Sequence, residues 1–423
     1  MALTDMIDKA TSLDPSERPV VNIDKCVQCS SCVALCPTYM EDAMEGMNAR
    51  GRVTLLNKFT SGELRPSSVL DQRIFSCLLC GACNTLCPCG INITDAIYEG
   101  RERLRGHNKK RELFGYGMRF VLKRAPLIFK WLKIYQELKE ILPVHKLRHF
   151  RVLKEMGLNL PHSSLREGSS IFRVPNPKGR VAIFAGCTIN FLYPTMGKAL
   201  IRKLNTSGYD VILPKGEVCC GAPFLGLGLK EDAAEMMEKN IMTFQNLNVE
   251  AVISLCPTCG SFLTRESQRL IGGGISNMMD ISQFIGQVVS MPRDKGQTAQ
   301  SGGKKDSGVT RTPGAVIYHD PCHSLYHLGV SKEPRQILTA MGFNLIEPKE
   351  RGCCGFGGTF KLFYQGLSQG ILQKRAEDYK EADMIVTSCP NCVLQFKSMI
   401  KDKPIKHIIE VLEENNSSSK SKK

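Results

Sequence analysis

Short apolar, β-branched runs punctuate the second half of the chain: Val181-Ala182-Ile183-Phe184, Ala251-Val252-Ile253-Ser254-Leu255, Ala315-Val316-Ile317-Tyr318 and Met384-Ile385-Val386-Thr387-Ser388. Longer helical stretches separate them, which predicts buried parallel strands of α/β units. The first half reads differently. Residues 37–76 form a spacer too long for a hairpin connection and with room for helices, so a mainly helical module is expected there. Further on, Leu127, Trp131, Ile134, Tyr135, Leu138, Ile141 and Leu142 recur at helical spacing. No stretch approaches the roughly 18 uninterrupted apolar residues of a membrane span. Met1 to Arg18 is polar and lacks the apolar core of a secretory signal. Residues 293–313 are glycine-rich and polar, as in a flexible linker, and 413–423 read as a disordered tail.

Composition changes the picture through one residue type. The 423 residues include 19 cysteines, too few per residue for a small disulfide scaffold. With no secretory signal, reduced thiols held for metal in a cytoplasmic protein are favoured. Cys26, Cys29, Cys32 and Cys36 form C-x2-C-x2-C-x3-C before Pro37, and Cys77, Cys80, Cys83 and Cys87 repeat it before Pro88. This is the bacterial ferredoxin run, in which the fourth cysteine of each run reaches the other cluster. The expected sets are therefore Cys26, Cys29, Cys32 and Cys87 on one [4Fe-4S] cluster, and Cys36, Cys77, Cys80 and Cys83 on the other. A pair of zinc knuckles fits this doubled spacing poorly.

Ten further cysteines obey a second rule twice. Cys187 is followed after 31 residues by Cys219-Cys220 and after 35 more by Cys256-x2-Cys259. Cys322 is followed after 30 by Cys353-Cys354 and after 34 more by Cys389-x2-Cys392. Gly221 and Gly355 follow the two pairs, and the repetition predicts two copies of one domain. The cysteines fall at the carboxyl ends of the predicted strands, where open α/β sheets place ligands. Adjacent thiols suit a cluster whose neighbouring irons take one sulfur each. A structural zinc with a spare thiol stays open for each copy. Cys89 is left over, and its default reading is a bystander thiol.

The formal charge is +15, and residues 101–155 carry 16 lysines and arginines against 5 glutamates, so +11 of it lies there. Such a segment suits either a connecting helix with solvated charges or a helix on an anionic membrane surface. No nucleic-acid motif accompanies it, and no nucleic-acid partner is expected. No phosphate-cradling or dinucleotide-binding glycine motif is present. A chain of this kind can pass single electrons but has no evident means of taking a hydride, so it needs a donor subunit. His319, Asp320 and His323 flank Cys322 and read either as proton carriers or as hydrogen-bonding supports of its loop.

The chain resembles a known family in CVQCSSCVALCPTY, CLLCGACNTLCP, HDPCH (His319 to His323) and CCGFGGTF (Cys353 to Phe360). A doubled ferredoxin run followed by two CCG (cysteine-rich) domains is similar to the iron–sulfur subunits of glycolate oxidase and lactate-utilisation complexes. It is similar also to the anaerobic glycerol-3-phosphate dehydrogenase iron–sulfur subunit and the catalytic subunit of membrane-bound heterodisulfide reductase. The resemblance implies a mainly α-helical dicluster module at 1–105, a basic helical connector at 106–176, and α/β CCG domains at 177–292 and 314–412. It also implies two [4Fe-4S] clusters, with one or two more iron–sulfur centres, non-cubane or zinc in one copy, in the CCG domains. The implied function is electron transfer from a flavoprotein 2-hydroxyacid (glycolate or lactate) dehydrogenase towards a quinone or other acceptor. Such a subunit would be cytoplasmic, with peripheral attachment to the cytoplasmic face of the membrane as an option. The presence of both Cys389 and Cys392 looks more like heterodisulfide reductase, which implies disulfide reduction at the CCG-bound clusters as an alternative. An iron–sulfur or zinc scaffold is a third.

Overall fold

The computed structural model describes residues 23–124, 164–166, 170–288 and 314–420. The stripe from Leu127 to Leu142, the polar first eighteen residues and the 293–313 linker lie outside them.

Residues 23–124 are helical, with no strand among the described residues of this region. Its principal helices are Ala49–Thr60, Ser68–Phe75, Ile93–Arg103 and Lys109–Lys123. Polar side chains start three of them by accepting otherwise orphaned backbone N–H groups: Asn48 from Gly51, Ser67 from Leu70 and Asn108 from Arg111. Val53, Leu56, Leu70, Ile74, Ala96 and Ile97 close the core between these helices.

The two copies each form a sheet. In the first, β1 (Ile171–Phe172), β2 (Gly179–Phe184), β3 (Tyr209–Ile212), β4 (Ala251–Ser254) and β5 (Met278–Asp280) lie in the order β1-β3-β2-β4-β5. In the second, β6 (Ala315–His319), β7 (Asn344–Ile346), β8 (Met384–Thr387) and β9 (Ile405–His407) lie in the order β7-β6-β8-β9. Pairing is parallel throughout except at β1, which runs antiparallel to β3 with Ile171 opposite Ile212. The first cysteine-rich unit thus recruits its edge strand from residues assigned by sequence to the connector. The central registers match between copies: Val181 sits opposite Ala251 on β2 and β4, and Val316 opposite Met384 on β6 and β8.

Two expectations are corrected. The segment from Glu413 is not wholly a disordered tail, because helix Ile408–Lys420 runs through it. Its first turns, with Ile408, Ile409, Val411 and Leu412 buried, pack towards helix Pro194–Thr206 of the first copy. Once those turns are anchored, propagating the helix into polar sequence costs little. Nor are the charges of residues 101–124 all solvated: Arg101 and Arg111 are buried, and Arg119 pairs with Asp232.

Candidate metal centres

The cysteines of the two ferredoxin runs close around two hollows. One is lined by Cys26, Cys29, Cys32 and Cys87. The other is lined by Cys36, Cys77, Cys80 and Cys83. The spacing groups them in the same crossed way. Ile93 lines both hollows. Cys89 lines the first hollow beside Cys87, so it is a neighbour of that site rather than a remote thiol. The loops match in backbone as well: Gln28 and Ser30 in the first run, and Leu79 and Gly81 in the second, all take positive φ. Such left-handed residues are costly for non-glycine side chains and persist where the surroundings demand them. The hollows differ in depth. Cys29 is exposed, whereas Cys36 and Cys80 are buried.

The two sets of five carboxy-terminal cysteines adjoin each other. Cys322 and Cys353 sulfurs lie 3.9 Å apart, and those of Cys354 and Cys392 lie 3.2 Å apart. The thiols of Cys187 and Cys219 act on each other, as do those of Cys220 with Cys219 and Cys259. The Cys256 thiol is influenced by that of Cys259 and, across the domain boundary, by that of Cys389 in the second copy. A continuous row of thiols thus joins both copies. Its far end approaches the second hollow, since Cys80 packs with Cys353 and Phe360 and the charges of Cys80 and Cys353 act on each other.

Local chemistry explains the placement. Cys36, Cys256 and Cys389 each cap a short helix that begins with proline, at Pro37, Pro257 and Pro390. Proline is preorganised for the first helical position, and the helix start favours a thiolate at the cap. Gly221 and Gly355 are left-handed, at φ 91° and 82°. A Cβ there would come within 2.9 Å of the Ala233 carbonyl and 2.8 Å of the Ser368 carbonyl, which is why glycine follows each cysteine pair.

Several positioning residues were not singled out from sequence. His407, buried at the end of β9, accepts from the Ile409 N–H at Nδ1 (3.2 Å), so Nε2 donates to the Leu255 carbonyl at 3.0 Å. It thereby ties the second sheet to the residue before Cys256. Asn391, inside the second copy's C-x2-C, places Nδ2 3.8 Å from Cys256 Sγ and accepts from Thr188 at 3.2 Å. His327 Nδ1 meets Ser261 Oγ at 3.0 Å. Buried Glu217 accepts from the N–H groups of Ala185 and Gly186, at 3.2 and 2.7 Å, and pairs with Arg166. A glutamate two residues before a cysteine pair is the one such signal readable in a sequence; the rest depend on contacts between distant segments. The three residues flanking Cys322 have hydrogen-bonded places. His319 Nδ1 meets Tyr379 at 2.8 Å, Asp320 takes both arms of Arg335 at 2.8 Å, and His323 Nδ1 meets Thr258 at 3.1 Å.

The donor sets suit soft metal centres. Hydrogen bonds from Cys219 and Cys259 draw the Cys220 thiol down to about 6. Cys256 is held well below the ordinary thiol range by Cys259 and Cys389, and Cys353 by Cys322 and Cys354. Their neighbours Cys259, Cys389 and Cys322 are pushed up. A buried row of this kind cannot ionise fully unless cations compensate it. His319 adds a buried Nε2 with no hydrogen-bond partner among the described residues, and a ring nitrogen of His319 lies within 4.8 Å of the Cys354 and Cys392 sulfurs.

Comparison with known proteins agrees with this layout. Residues 22–91 match the 4Fe-4S dicluster domain, and residues 181–264 and 316–397 match the cysteine-rich domain called CCG. Lactate utilization protein A of a Geobacillus species is 30% identical over 251 residues, covering 55% of this chain and 98% of that protein. The chain belongs to the dicluster–CCG family of iron–sulfur proteins. A probable glycolate oxidase iron–sulfur subunit from Bacillus subtilis is 27% identical to this family member, with 88% of each chain covered. A dihydromethanophenazine:CoB–CoM heterodisulfide reductase component from Methanosarcina barkeri is 24% identical, with 92% of each covered. Among the described residues, no helix of this dicluster–CCG protein is long and apolar enough to cross a membrane.

Proposed function

We propose that the chain is the electron-transferring iron–sulfur subunit of a flavin-dependent 2-hydroxyacid dehydrogenase complex, with glycolate or lactate oxidised on a flavoprotein partner. The observation that carries this reading is the unbroken succession of cysteine sites, from exposed Cys29 through two adjoining hollows to Cys80, Cys353 and the ten-thiol row. Cys26, Cys29, Cys32 and Cys87 would hold one [4Fe-4S] cluster, and Cys36, Cys77, Cys80 and Cys83 the second. Cys187, Cys219, Cys220, Cys256 and Cys259 would hold a third centre, and Cys322, Cys353, Cys354, Cys389 and Cys392 a fourth. Iron–sulfur clusters supply one-electron carriers, whereas oxidation of an alcohol carbon releases electrons in pairs. The chain's own residues keep the sites close: Ile93 lines both hollows, and Phe360 packs where Cys80 meets Cys353. Electrons then leave towards a quinone or another acceptor, and the chain's positive charge suits docking at an anionic membrane face.

The test is to isolate the native complex and add glycolate or lactate under anaerobic conditions. A co-purifying flavoprotein and cluster reduction seen by electron paramagnetic resonance (EPR) are expected. Isolation without flavoprotein, together with clusters that no 2-hydroxyacid reduces, overturns the reading.

The Cys256–Cys389 contact favours a second reading, reduction of a small disulfide between the two cysteine-rich centres. One S–S bond, two electrons and two protons would give two thiols, with one electron supplied from each side. Failure of the reduced protein to turn over any disulfide removes this reading and leaves the first intact.

A further inference from the structure

We propose that Arg52 and Arg101 are the counter-charges that keep the deeper ferredoxin-type centre reducible. The inference rests on the ligand set Cys36, Cys77, Cys80 and Cys83 proposed above.

Arg52 is 1% exposed and Arg101 3% exposed. The Arg52 guanidinium donates to the Arg73 carbonyl at 2.8 Å, Thr38 Oγ1 at 3.1 Å and Ser76 Oγ at 3.2 Å, and its Nη1 lies 3.9 Å from Cys36 Sγ. Arg101 donates to the carbonyls of Cys77 at 2.5 Å, Phe75 at 3.1 Å and Gly226 at 2.8 Å. Apart from the cysteine sulfur, every acceptor is a neutral group, and neither arginine pairs with a carboxylate among the described residues. Other buried arginines of the protein do find acids: Arg111 pairs with Asp71, and Arg375 with Asp378 at 2.8 Å.

Burying two guanidinium groups without anions is costly. Both approach the same set of cysteines: Arg52 at the Cys36 sulfur, Arg101 at the Cys77 carbonyl. A cubane held by four thiolates is anionic and gains a further negative charge when reduced. It is the counter-ion this site lacks, and a fixed cation in a low-dielectric site stabilises its reduced form more than its oxidised form. Burial alone opposes the added charge, and the arginines offset that opposition. The outer hollow has a different electrostatic setting. Its rim carries Arg50, whose side chain is 30% exposed and already paired with Glu45 at 2.8 Å, so water and the carboxylate screen it. An electron entering at the outer site therefore finds an inner site that can accept it.

The test is a potentiometric titration of the iron-loaded full chain, following the two cubane signals by EPR. Arg52→Gln and Arg101→Gln should each lower the midpoint of one and the same signal. The reduced-to-oxidised ratio at fixed poise should fall about tenfold, equivalent to about 59 mV for one electron. Arg52→Lys and Arg101→Lys should restore most of it, and Arg50→Gln should leave that signal in place. Unchanged midpoints in both neutral variants, or equal shifts of both signals, overturn the proposal. If the neutral variants lose the inner centre, its retention in the lysine variants supports the proposal, and its loss there assigns the arginines to packing instead. Failure of the underlying ligand set is separable, because the unsubstituted chain would then lack a second cubane signal.

Discussion

The two cysteine-rich copies share strand order at their centres, the spacing of their cysteines and the glycine after each pair, yet they support their first cysteine in different ways. In the first copy, β2 ends in Phe184, which packs against Phe244 with ring centroids 5.7 Å apart. Glu217, paired with Arg166, then grips the backbone of Ala185 and Gly186. In the second, β6 ends in His319, hydrogen-bonded to Tyr379, and Asp320 is held by Arg335 with Arg351 3.6 Å away. A duplicated scaffold has kept its sulfur positions while differing in the side chains around them: Phe184 stands where His319 does, and a carboxylate that binds backbone N–H groups (Glu217) stands against one that binds arginine (Asp320). The copies are thereby chemically unequal, although their cysteine patterns are nearly the same.

The largest test of that inequality is metal content. Cys220→Ala should remove one centre, about four irons of roughly sixteen, and spare the other signals. Cys256→Ala and Cys389→Ala lie at the shared boundary and should each disturb the signals of both copies. Iron analysis with EPR decides between these outcomes. A smaller effect is expected from the carboxylate supports. Arg166→Ala leaves Glu217 buried and without its cation, and should cost about 3–5 kcal/mol in denaturant unfolding. Arg335→Ala should cost less, because Arg351 still faces Asp320. Smallest is His319→Phe, which gives the second copy the first copy's residue. It strips the Tyr379 hydroxyl of its partner and should cost about 1–3 kcal/mol. Equal losses for Arg166→Ala and Arg335→Ala would erase the distinction drawn between the copies.

Much of this was legible beforehand. The crossed grouping of the ferredoxin cysteines follows from their spacing, and both hollows have that composition. Strands β2, β4, β6 and β8 lie where the β-branched runs placed them, because fully buried parallel strands leave an almost uniform apolar signature. Contacts between remote segments left no such mark. Cys256 and Cys389 look like members of separate sets until His407 and Asn391 bring the copies together. Arg101 reads as one more charge in a basic stretch, and only tertiary packing removes it from water. Phe184 and His319 could be matched by aligning the copies, but what each touches could not.

The thiol contact across the copies has a consequence for timing. Cys187 and Cys392, the first and last of these ten cysteines in sequence, bracket roughly half of the chain, and the row becomes continuous only when Cys256 meets Cys389. The clamp that secures this meeting, His407, is made later still. A ribosome must therefore release the chain through His407 before this region can take its final form, so the first copy's cysteines, made earlier, wait on the second copy's to complete their surroundings.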